Sequence, residues 1–131
     1  MALEINFENN FRGALVQVQD SLSGADLVEA IDQVFKLDGR NKLEYQILDF
    51  SNGFHIDFDT PTIRYLAHLC QSMANKNGSF RLAIVGEAPK IKQLYDSLIG
   101  FARNPNLHIE SCRDMGTARS WISQADLEIM V

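Results

Sequence analysis

Tyr45-Gln46-Ile47-Leu48-Asp49-Phe50-Ser51-Asn52-Gly53-Phe54-His55-Ile56-Asp57-Phe58-Asp59-Thr60-Pro61 is the stretch on which the reading of this chain turns. It begins as an apolar run, Tyr45 to Phe50, with the length and composition of a buried strand. Asn52-Gly53 is a turn signal, and His55 to Asp59 is an acidic segment. Thr60-Pro61 then opens a helix, because proline in the first helical turn gives up an N–H that has no partner there anyway. A strand, a polar loop and a helix start in immediate succession are the mark of an α/β domain. Such sheets meet ligands and partners beyond the carboxyl ends of their strands, so this loop is also the expected working surface.

Downstream, the helix is predicted from about Pro61 to Lys76, with Ile63, Leu66, Ala67, Cys70, Met73 and Ala74 on one stripe and Asn77-Gly78 as its stop. Phe80 to Val85 is a short apolar strand of central type. Gly86-Glu87-Ala88-Pro89 turns into a third helix that faces Ile91, Leu94, Tyr95, Leu98 and Phe101 inward. Leu107 to Cys112 alternates as an edge strand, and a last helix uses Ala118, Trp121, Ile122 and Ala125; the apolar tail from Gln124 to Val131 is left unassigned. Upstream, Leu3 to Glu8 alternates with a period of two, Asn9-Asn10 is a turn, and Ala14 to Gln19 is a second strand with Val16 and Val18 on one face. So short a connection predicts an antiparallel hairpin. Ser23 is the expected N-cap of a first helix bearing Leu27, Val28, Ile31, Val34 and Phe35, with Gly39 past its end. Strands alternating with helices imply parallel pairing through right-handed crossovers. The fold expected is α/β: a five-stranded mixed, mainly parallel sheet with four helices and an N-terminal β-hairpin, in a single domain over residues 1–131 without repeats or linkers.

Composition narrows the function. The 131 residues carry a net charge of −5 with no basic cluster, which argues against nucleic-acid binding and against anionic membrane surfaces. No apolar run approaches the roughly 20 residues of a membrane-spanning helix. No basic n-region precedes an apolar segment at the N-terminus, so no signal peptide is expected and the protein is read as cytoplasmic. The two cysteines, Cys70 and Cys112, are then reduced and serve packing.

Several constellations carry chemistry on paper. His55, Asp57 and Asp59 alternate, so an extended loop would present an imidazole and two carboxylates on one side, a set able to hold a divalent metal. The competing reading is a solvated acidic loop, and no metal or cofactor is assigned. Asp49, Ser51 and His55 contain the residue types of a nucleophilic triad, but no nucleophile elbow surrounds Ser51. Asp49 is instead expected to close the strand end or bind loop N–H groups. Gly86 alone makes no phosphate-binding fingerprint. Lys90, Lys92 and Tyr95, with Arg64 and His68, could form a polar partner-binding face beside the acidic loop.

The order and spacing of these segments resemble the STAS domain, the family of anti-sigma-factor antagonists and transporter C-terminal domains, in its stand-alone SpoIIAA-like branch. The resemblance rests on Leu15-Val-Gln-Val-Gln followed by Leu22-Ser-Gly-Ala-Asp-Leu, on Ile47-Leu-Asp-Phe-Ser, on Arg81-Leu-Ala-Ile-Val-Gly, and on Ile109-Glu-Ser-Cys-Arg-Asp leading to Ala118-Arg-Ser-Trp-Ile. It implies a non-catalytic regulatory module that binds a protein partner, an anti-sigma factor that doubles as a kinase. Members that act as phospho-switches carry an Asp-Ser pair at the start of the second helix. Here the aspartate is matched by Asp57, and Phe58 stands where the serine would be. Thr60 is the displaced candidate acceptor, although a hydroxyl there also serves as a helix cap. The partner-binding residues expected are Ser51, His55, Asp57, Phe58, Asp59, Thr60 and Arg64. Two alternatives stay open: a carrier of a small apolar ligand such as a lipid, entering between helix and sheet, and a metal-dependent enzyme built on the 55–59 loop. A homodimer through an edge strand is compatible with the pattern.

Overall fold

The computed structural model describes residues 3–19, 23–36, 43–52 and 58–129. In chain order the elements are β1 Leu3–Glu8, β2 Gly13–Val18, α1 Gly24–Lys36, β3 Tyr45–Asp49, α2 Thr60–Asn77, β4 Phe80–Val85, α3 Pro89–Phe101, β5 Leu107–Cys112 and α4 Met115–Ile129. The strands lie side by side in sequence order in one five-stranded sheet. β1 and β2 are antiparallel; β2, β3, β4 and β5 are parallel, as the strand–helix alternation predicts. The segment from Gln124 that the sequence leaves unassigned continues α4 to Ile129.

The pleat sorts side chains onto two faces. One face carries Val16, Leu48, Leu82 and Ile109, covered by α1, α2 and α3 through Leu27, Ile31, Leu66, Cys70, Ile91 and Leu98. The other carries Tyr45, Ile47, Ala83, Val85 and Cys112, covered by α4 through Ala118 and Ile122. The α2 stripe is buried as predicted: Ile63, Leu66, Ala67, Cys70, Met73 and Ala74. In α1 and α3, Val28, Tyr95 and Phe101 are only partly buried at the margin of the core. β1 shows one half-buried face, Leu3, Ile5 and Phe7, as expected of an edge.

Helix ends follow local chemistry. Ser23 caps α1, its Oγ accepting from the Asp26 N–H at 3.1 Å. Gly78 ends α2 at φ 86°, a left-handed position where a glycine carries no Cβ penalty. The expected stop at Gly39 lies outside the described residues. Both cysteines are free and buried. Burial pushes the Cys70 thiol up to about 12 and, with nearby Glu110 and Asp114, the Cys112 thiol up to about 11, so both stay protonated.

One arrangement was not foreseen. Tyr45 opens β3, and its hydroxyl donates to Glu8 Oε1 at 2.6 Å while accepting from Asn9 Nδ2 at 2.7 Å. Arg119 of α4 closes on the same carboxylate, donating from Nη1 to Oε1 and from Nη2 to Oε2, the latter at 3.0 Å. Burial alone would raise the Glu8 carboxyl, but the Arg119 and Tyr45 hydrogen bonds outweigh it and hold the group below its ordinary value. Burial and the Glu8 carboxylate push the Tyr45 hydroxyl up to about 12.

Candidate functional site at the start of helix α2

β3 delivers the site. Its last residue, Asp49, is buried, and its Oδ1 accepts from the Ser51 N–H at 2.9 Å and from Ser51 Oγ at 2.5 Å. The expected role of Asp49 in holding the loop backbone is therefore observed, and Ser51 is occupied in the turn rather than poised as a nucleophile. Phe50 continues the ladder one residue further, its N–H donating to Val85 O at 2.8 Å.

Phe58, at the position where the resemblance implies a serine, is half-buried. Its ring stands edge-on to Phe50, centroids 6.3 Å apart at 88°, a favourable aromatic geometry. It pins the returning chain to the core just before α2. The cap of α2 is a correction to the sequence reading: Asp59, not Thr60, holds it, with Thr62 N–H donating to Asp59 Oδ1 at 2.9 Å. Asp59 has the extended backbone of an N-cap (φ −90°, ψ 164°), whereas Thr60 is already helical. Aspartate at the positive end of a helix also satisfies the dipole, which a threonine does not. Hydrogen bonds from the Thr62 side chain and backbone hold the Asp59 carboxyl below its ordinary value. Thr60 itself is exposed.

Two clefts flank the first half of α2. One, of about 270 Å³, runs between α2 and α3, with Phe58, Thr60 and Ile63 on one wall and Lys90, Gln93 and Leu94 on the other. The second, a shallower groove of about 410 Å³ between α1 and α2, is lined by Val28, Pro61 and Tyr65 with the acids Glu29 and Asp32. Arg64 is exposed one turn beyond Thr60, and its guanidinium lies 5.2 Å from the Phe101 ring, reaching the far end of α3. Tyr65, 47% exposed, stacks on His68 with centroids 6.3 Å apart.

Of the expected site residues, the structure groups Phe58 and Thr60 around one cleft with Lys90, sets Arg64 against Phe101, and uses Asp59 and Ser51 for local hydrogen bonds. His55 and Asp57 lie outside the described residues, so of the suggested metal set only Asp59 is seen, committed to its helix cap. Among the described residues no group of three or more His, Cys, Asp or Glu is placed to hold a metal ion. No helix among the described residues is long and apolar enough to cross a membrane. Sequence reasoning did not find the Phe50–Phe58 contact or the cleft that Thr60 shares with Lys90. The aromatic at position 58, next to a charged loop, was the available signal for the first.

No family model matches the sequence, and no curated protein does. Among solved structures, the chain is similar to the phosphorylated form of the Bacillus cell fate determinant SpoIIAA, with a TM-score of 0.52 at 9% identity. The match covers 92% of this chain and 99% of that one. The chain thus has a SpoIIAA-like fold.

Proposed function

We propose that this chain is a non-catalytic regulatory module of the cytoplasm that docks a protein partner on the 51–62 loop and the first half of α2. The observation that supports it best is the coincidence of two things. The fold is like that of SpoIIAA along nearly the whole chain, and the start of α2 is exposed, capped by Asp59 and flanked by clefts on both sides. Partner surfaces commonly combine a buried aromatic anchor point with a polar rim. Phe58 and Ile63 supply the apolar floor here, and Thr60, Lys90 and Arg64 the rim, with His55, Asp57 and Asp59 completing the loop. By resemblance the partner is of the anti-sigma-factor, kinase-like type. With Phe58 at the usual serine position, Thr60 is the acceptor this reading assigns to any phospho-switch that survives. A phosphate on its exposed hydroxyl would meet α2 N–H groups favourably and Asp59 unfavourably.

The test is affinity capture from host lysate with wild type, Asp57→Ala, Thr60→Glu and Arg64→Glu side by side, each first shown to fold by circular dichroism. A protein retained by wild type and lost by the loop and α2 variants supports the module. Capture that is identical for all four forms removes its basis.

A further inference from the structure

The sheet ends on either side in an edge strand, β1 and β5. A strand edge is a row of N–H and C=O groups ready to pair with another chain, and proteins commonly blunt it. β5 is blunted by its own surroundings. The Cys112 carbonyl accepts from Gly86 N–H and the Asn106 carbonyl from Phe80 N–H, both at 3.0 Å. The even-numbered residues therefore turn toward β4, and Leu107, Ile109 and Ser111 turn outward. Two of these three outward N–H groups are taken, Leu107 donating to Asn104 O at 3.1 Å and Ser111 to Glu110 Oε1 at 3.2 Å.

β1 is built differently. The Arg12 carbonyl accepts from the Glu44 and Tyr45 N–H groups at 2.7 and 3.3 Å, and the Arg12 guanidinium pairs with Glu44 at 2.8 Å, which fastens the hairpin connection to β3. The even-numbered residues of β2 thus turn toward β3 and its odd-numbered residues toward β1. Gly13, Leu15 and Gln17 oppose Glu8, Asn6 and Glu4, so these three residues of β1 hydrogen-bond to β2. The N–H and C=O groups of Leu3, Ile5 and Phe7 point outward, where no strand pairs with them among the described residues. Leu3-Glu4-Ile5-Asn6-Phe7-Glu8 has no proline, lysine or glycine to interrupt pairing, and its register with β2 runs without a bulge.

The side chains select a partner. Leu3, Ile5 and Phe7 are half-buried at the margin of the larger core. Phe11, 58% exposed, extends this apolar margin with its ring 5.0 Å from that of Phe7. Glu4 and Asn6 are exposed on the other face. When such a strand pairs antiparallel with an identical one, a two-fold axis passes through one residue, and opposite residues share a face. Centred on Glu4, the pairing sets that carboxylate against its own copy. Centred on Asn6, it sets Glu4 against Glu8. Centred on Ile5, it sets Ile5 against Ile5, Leu3 against Phe7, and Glu4 against Asn6. The last register places an amide rather than a carboxylate opposite Glu4, and like charges directly opposite are destabilising.

We propose that β1 is a dimerisation edge that pairs antiparallel with β1 of a second copy of this chain, centred on Ile5, joining two five-stranded sheets into one of ten strands. The outward groups of Leu3, Ile5 and Phe7 form the new ladder, and the apolar margin becomes continuous across the axis. The edge uses no residue of the α2 docking surface and does not rest on that reading.

The test is sedimentation velocity on the full chain from about 5 µM to about 1 mM, because a contact of one strand pair is small and makes a weak dimer. Wild type should move from monomer to dimer across this range. Ile5→Pro removes an outward N–H that the monomer does not use, at an edge position where proline is tolerated, and should abolish the dimer. Asn6→Glu and Asn6→Lys alter an exposed side chain and count twice by symmetry, so Kd should rise several-fold in the first and fall several-fold in the second. His108→Glu, on β5, should change nothing. Ile5→Cys should crosslink to its own copy under mild oxidation, since the Cα atoms of a hydrogen-bonded pair lie about 5.5 Å apart, within disulfide reach. Leu3→Cys, which faces Phe7, should not, and neither should wild type, whose two cysteines are buried. Circular dichroism first shows that each variant folds; should Ile5→Pro unfold, the opposite effects of the two Asn6 variants decide. A monomer at every concentration, a dimer kept by folded Ile5→Pro, equal Kd for the two Asn6 variants, a dimer weakened by His108→Glu, or crosslinking of Leu3→Cys in preference to Ile5→Cys would each overturn the proposal.

Discussion

Gln46 is the residue that least fits its surroundings. It is fully buried in β3, between Ala14 of β2 and Leu82 of β4, and both its side-chain amide atoms lack a hydrogen-bond partner. An amide buried without a partner costs about 1–3 kcal/mol. Gln46→Met keeps the length and removes the polar atoms, so it should raise the stability by about that amount, seen in urea unfolding as a higher midpoint at unchanged slope. A lower midpoint would mean that the amide is satisfied in solution. Tyr45, its neighbour, makes a claim at the other end of the pH scale. Its hydroxyl ionises near 10 in the unfolded chain and is pushed up to about 12 in the fold. A raised folded value means that this contribution to stability is whole below pH 10 and is lost as pH rises through 12. Across that window Tyr45 should steepen the fall in stability by up to about 1.4 kcal/mol per pH unit. Tyr45→Phe should lose stability at pH 7, where the bond to Glu8 is missed, and show a shallower alkaline limb. Equal limbs in the two proteins would refute the assignment.

Elements were readable where period and punctuation agree. The α2 stripe and the Asn77-Gly78 stop were plain because an amphipathic helix repeats its apolar residues and a left-handed C-cap asks for glycine. The N-terminal caps were harder: Asp59 and Thr60 both qualify by residue type, and only backbone geometry separates them. The sequence also gave no weight to Asp114, yet it caps α4 as Asp59 caps α2, accepting from Thr117 N–H at 2.8 Å. Backbone and side-chain hydrogen bonds from Thr117 lower the Asp114 carboxyl just as those from Thr62 lower that of Asp59. Asp59→Ala and Asp114→Ala should each lower the stability at pH 7. Both folded values are depressed, so the caps contribute fully above the ordinary carboxylate range and fade as pH falls through the lowered values. The gap between wild type and each variant should therefore narrow in acid. Chemical denaturation at pH 7 and pH 3 measures this, and a gap that persists unchanged at pH 3 would show that the cap acts without its charge.

For the whole molecule, the mixed, mainly parallel sheet with its N-terminal hairpin followed from the alternation of elements, because strands separated by helices pair in parallel through right-handed crossovers; the order β1-β2-β3-β4-β5 came from the structure. The side-chain clusters at the two ends of the sheet did not follow. Function at the α2 end depends on which side chains meet across α2 and α3, and the polar cluster at the other end joins residues from opposite ends of the chain. No local pattern encodes that Glu8 will meet Arg119. Yet α4 is the element that covers its face of the sheet, and this ion pair fastens it to the hairpin beside Tyr45 and Asn9. The side chains are 22% exposed for Glu8 and 43% for Arg119, against 52% and 46% for Glu44 and Arg12. Coulomb attraction is least screened where water is least present, and hydrogen bonds to charged groups in such sites are worth about 1.5–3 kcal/mol. An exposed pair is worth about 0.2–1 kcal/mol. Double-mutant cycles with Glu8→Gln and Arg119→Gln, and with Glu44→Gln and Arg12→Gln, should thus give a clearly larger coupling for the first pair. That coupling should also survive 0.5 M salt, whereas the Arg12–Glu44 coupling should vanish. Equal, salt-sensitive couplings would reduce the Glu8–Arg119 pair to a surface contact and leave α4 held chiefly by its apolar packing on the sheet.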